Sequence, residues 1–87
     1  MHFNIVLTVS IRSSSARKPL RSSVDLQIEP RPGMLVSYRG QTIARVNELA
    51  IELENGEITM ILDNRSFDTQ ESFDQFINWL KAHGWDG

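Results

Sequence analysis

After Asn64 the apolar residues of this chain change their spacing from two to three and four, and that switch does more than any other feature to restrict the fold. Phe73, Phe76, Ile77 and Leu80 stand at i, i+3, i+4 and i+7, which draws one stripe along a helix. Asp68 and Glu71 fit a capping box before the stripe. Gly84 can take the left-handed conformation that stops a helix, with Trp85 then set against Leu80. The spacing predicts one helix near 69–83.

Before the switch the period is two. Phe3, Ile5, Leu7, Val9 and Ile11 alternate with His2, Asn4, Thr8 and Ser10, broken only by Val6, so a half-buried strand is expected near 3–11. Val24, Leu26 and Ile28 alternate with Asp25, Gln27 and Glu29 and predict a strand near 24–29. A short strand near 34–38 follows, and Arg39-Gly40 is placed to turn it so that Val36 meets Ile43. Between the first two strands, residues 12–23 hold five serines, Pro19 and four cations, and read as a mobile loop.

Residues 42–54 support two readings. Ile43, Val46, Leu49, Ala50 and Leu53 also fit a helical face. Asn55-Gly56 decides for a hairpin, because it is a strong turn signal and its register sets Leu53 opposite Ile58, Ile51 opposite Met60 and Leu49 opposite Leu62. Strands near 42–54 and 57–63 complete an expected antiparallel sheet of about five strands, packed by one C-terminal helix in a single α+β domain over 1–87. Five strands span about 20 Å, whereas a helix is about 10 Å wide. The surplus apolar face is expected either to curl strongly toward a half-barrel or to meet a second copy, giving a homodimer.

Several classes of function are disfavoured. With no cysteine there is neither a disulfide framework nor a thiolate metal site. The apolar run near Phe3 is interrupted and its basic residues follow it, so neither a signal peptide nor a membrane span is read, and a soluble cytoplasmic protein is expected. His2 and His83 are tied to no carboxylate pair or nucleophile; His83 stands four residues after Trp79, where the rings can stack on one helix flank. No catalytic residue, metal or cofactor is expected, and the chain is read as no enzyme.

Charge is uneven. Residues 1–45 carry seven cations against two acids, and residues 46–87 carry two cations against nine acids. Either the halves neutralise each other side by side, or each offers a surface to a partner. Glu52, Glu54 and Glu57 on the predicted hairpin, with Trp79 beside the helix stripe, are candidate protein-binding residues. Arg12, Arg17, Lys18 and Arg21 are candidate phosphate ligands, although no aromatic residue accompanies them to stack on bases. The leading expectation is a non-enzymatic protein–protein interaction module that self-associates, with inhibitor or adaptor as its forms; the alternative is nucleic-acid binding through Arg12–Arg21.

Overall fold

The computed structural model describes residues 1–87 and shows a small α+β domain with six strands and one helix. The strands are β1 (His2–Ile11), β2 (Arg17–Asp25), β3 (Leu35–Tyr38), β4 (Gln41–Ile51), β5 (Ile58–Leu62) and β6 (Arg65–Phe67), followed by α1 (Gln70–Ala82). They form one mostly antiparallel open sheet in the order β2-β1-β5-β4-β3, with β6 also paired to β1. No helix is long and apolar enough to cross a membrane.

β1 is the central strand, and its odd residues from Phe3 to Ile11 are all buried, as the alternation predicts. Its neighbours on one side run parallel to it: β5 pairs with Asn4–Val6 and β6 with Val9–Ile11. Asp63-Asn64 joins the two and lets the chain leave β4 and follow β1 instead. The expected sheet had neither β6 nor a parallel pair.

The expected mobile loop over 12–23 is corrected. Arg17–Asp25 is a strand paired along almost all of β1, and Leu20, opposite Leu7, is fully buried. Only Arg12–Ala16 connects the hairpin, with the Ser14 hydroxyl accepting the Ala16 N–H at 2.9 Å. Pro19 is tolerated because β2 lies at the end of the strand order. Arg21 directs its N–H and C=O away from β1, toward Asp86, and alternation turns the Pro19 nitrogen the same way, where no ladder bond is lost. The strand expected over 24–29 is likewise corrected: pairing stops where the Leu26 N–H meets the Met1 carbonyl, and Ile28 is left exposed.

β4 is a strand rather than a helix, and it carries two irregularities. Val36 pairs with Ala44 but Ser37 with Thr42, leaving Ile43 extra; Val46 pairs with Leu62 but Glu48 with Ile61, leaving Asn47 extra. The Arg39-Gly40 turn forms, with both residues at positive φ, but the bulge moves Val36 opposite Ala44 instead of Ile43. At the other end the expected register is off by two: Ile51 pairs with Ile58 and Leu49 with Met60. A shift of two keeps every side chain on its face, and it puts Leu53 in the loop.

α1 packs on β1 and β6 through Phe73, Phe76, Ile77 and Leu80. Thr69, not Asp68, is the N-cap, its hydroxyl accepting the Ser72 N–H at 3.1 Å. The Asp68 carboxylate is engaged elsewhere, 2.8 Å from Arg12. At the far end Gly84 has φ 93° and the Trp85 N–H reaches the Leu80 carbonyl, the expected stop.

A candidate binding cleft between the two end strands

The two strands at opposite ends of the sheet order line one cleft of about 390 Å³. Its β2 wall is Ser22, Ser23 and Val24, continued by Leu26, Ile28 and Pro30. Its β3 wall is Met34 to Tyr38. Ile5, Ile43, Val46 and Met60 are buried residues that reach the cleft from the core, and His83 and Trp85 bring the end of α1 to it.

The walls are apolar and partly in water. Ile28 is 64% exposed and Leu35 51%, while Met34 and Tyr38 are also exposed. A short end strand is the reason for β3: with β4 on one side only, Leu35 has no second neighbour to cover it. The strand backbones contribute as well. Because Arg21 points its backbone groups outward to Asp86, alternation turns those of Ser23 and Asp25 outward too, beyond the last residue bridged. On the opposite wall Met34 accepts from the Val46 N–H, which turns the Leu35 backbone away from β4.

Trp79 is half-buried. Its ring centroid lies 6.0 Å from Tyr38, 6.3 Å from Phe76 and 4.8 Å from His83. The His83 Nδ1–H donates to the Trp79 carbonyl at 2.7 Å, since a carbonyl can only accept. Trp79 thus braces Tyr38, a cleft residue, from behind. Tyr38 is a cleft residue that sequence reasoning did not single out; its only signal was an aromatic residue beside a turn.

Glu52, Glu54 and Glu57 are exposed in the β4–β5 loop, and none of them lines the cleft. The phosphate candidates separate. Arg12 pairs with Asp68, whereas Arg17, Lys18 and Arg21 lie on β2 and line a second, shallower groove with Phe73 and Gly87. Lys18 shares the inward face of β2 with Leu20, and Arg17 and Arg21 share the outward one. Strands of the two charge halves lie side by side, β1 against β5 and β6, and Arg12–Asp68 is the one close ion pair that joins the halves.

No group of three or more histidine or carboxylate side chains is placed to hold a metal ion. Set against known protein families, curated proteins and solved structures, the chain matches none.

Proposed function

We propose that this protein is a non-enzymatic protein-binding module that self-associates, and that the cleft between β2 and β3 is its receptor surface. The observation that carries this reading is the exposed apolar rim of Ile28, Met34, Leu35 and Tyr38 around a cleft with outward-facing strand backbone on both walls. Apolar side chains on a rim gain by leaving water, and unpaired strand groups gain by meeting another polypeptide. We also read the open sheet as curled about this cleft, since strands from opposite ends of the order wall the same space. A second copy is the occupant we favour, because complementary charge is present on the same chain.

Sedimentation velocity over a concentration series tests the reading. The wild type is expected to associate, and Leu35→Asp, a charge on an exposed end strand, is expected to leave melting unchanged and abolish association. A wild type that stays monomeric at the highest concentration, or a Leu35→Asp variant that associates normally, contradicts it.

A second reading, phosphate binding, is favoured by the gathering of Arg17, Lys18 and Arg21 at one groove. It requires salt-sensitive binding of a labelled oligonucleotide. Indifference to the oligonucleotide at low salt removes it.

A further inference from the structure

We infer that the β4–β5 loop of one copy docks in the β2–β3 cleft of another, with Leu53 as the side chain that enters it. The inference rests on the cleft being the receptor surface proposed above, and it names the ligand.

Leu53 is 91% exposed, and it is not on a loose segment. The Glu52 N–H bonds to the Glu57 carbonyl and the Gly56 N–H to the Glu52 carbonyl, both at 2.8 Å. The Asn55 side chain accepts the Glu57 N–H at 2.9 Å, and Gly56 takes a positive φ of 73° that closes the turn. A leucine is therefore held in water by an ordered loop, with Ile51 also 63% exposed at its base. Pre-organisation of this kind removes much of the ordering entropy that binding otherwise costs.

Charge supplies the second argument. Glu52, Glu54 and Glu57 surround Leu53, and none forms an ion pair within the molecule. From Pro30 to Asn47 the chain holds Arg31, Arg39 and Arg45 and no acid, and these too lack an ionic partner. Arg31 and Arg39 flank the β3 wall in sequence, Arg39 lying over the Tyr38 ring at 5.4 Å. On the β2 side of the cleft Asp25 is paired with His2 and Glu29 is the one acid without an ionic partner, so the basic border belongs to the β3 side. An acidic loop with an apolar tip and an apolar cleft with arginines along its β3 wall complement each other, and opposite fields of this kind steer encounter and fix register. No residue from Ile51 to Glu57 lines the cleft of its own chain, so the complement must come from another molecule. The contact joins two different surfaces, which makes it heterologous.

That property gives the test. Leu53→Asp removes the tip and keeps the cleft, while Leu35→Asp removes the cleft and keeps the tip. Each variant alone is expected to lose at least about tenfold in association, the scale of burying one leucine. Mixed in equal amounts, they are expected to form a one-to-one complex in sedimentation, because the tip of one and the cleft of the other are intact. Both positions are exposed, so unchanged melting curves check that each variant is folded. If Leu53→Asp associates like the wild type while Leu35→Asp does not, this inference falls and the cleft reading stands. If Leu35→Asp associates like the wild type, the cleft reading itself falls. Two variants that are each impaired but fail to complement exclude the tip-in-cleft contact.

Discussion

Around β1 every inward-facing residue from Phe3 to Ile11 is buried in the layer shared with α1, whereas around β3 Met34, Leu35 and Tyr38 stay in water although both strands belong to one sheet. The difference is one of neighbours. β1 has β2 on one side, β5 and β6 on the other and the helix against its inward face; β3 has β4 alone. The helix packs on β1 and β6, and apolar residues beyond its reach collect at the cleft. On the function proposed above, stability belongs to the first region and recognition to the second, so substitutions in the two regions should separate.

The largest effect is expected at Leu80, which is fully buried between α1 and the sheet. Leu80→Ala removes packing that the surrounding core cannot fully refill and should cost about 2–5 kcal/mol in urea denaturation. A cost under about 1 kcal/mol would mean that the helix is not the true cover of β1, and the comparison would break. Arg65 sharpens the boundary between the regions. Its guanidinium donates to the Thr42 and Ile43 carbonyls at 2.7 and 3.0 Å and lies 4.8 Å from the centre of the Phe76 ring, tying the start of β4 to the helix-covered half. Arg65→Ala should cost about 1.5–3 kcal/mol, the range for hydrogen bonds to a charged group, and should quicken amide exchange in β3 and β4 more than in β1. Equal quickening in both would show that the two regions open as one unit.

The parts of the fold that local pattern controls were legible in the sequence. β1 follows from strict alternation, and α1 follows from a stripe with both a start and a stop. The parts set by pairing were not. In β2, serines and cations at Arg17–Ser23 conceal the alternation of Lys18, Leu20, Ser22 and Val24, and Pro19 reads as a breaker unless its nitrogen is known to face outward. In β4 the helical spacing of Ile43, Val46 and Leu49 comes from the two bulges, each of which adds a residue and turns a spacing of two into three. β6 is only three residues long, too short to show a period. The acidic residues of the candidate surface were visible as a cluster. The cleft was not, because it depends on β2 and β3 facing one another, which no local pattern encodes.

The most direct test of the division between a stabilising and a recognising region is methyl-resolved NMR across a concentration series. The methyl signals of Ile28, Met34 and Leu35 are expected to shift as concentration rises while those of Leu7 and Leu80 stay fixed. Signals that do not move at any concentration, or shifts confined to Val6 and Ile61 on the sheet face away from the helix, would contradict it.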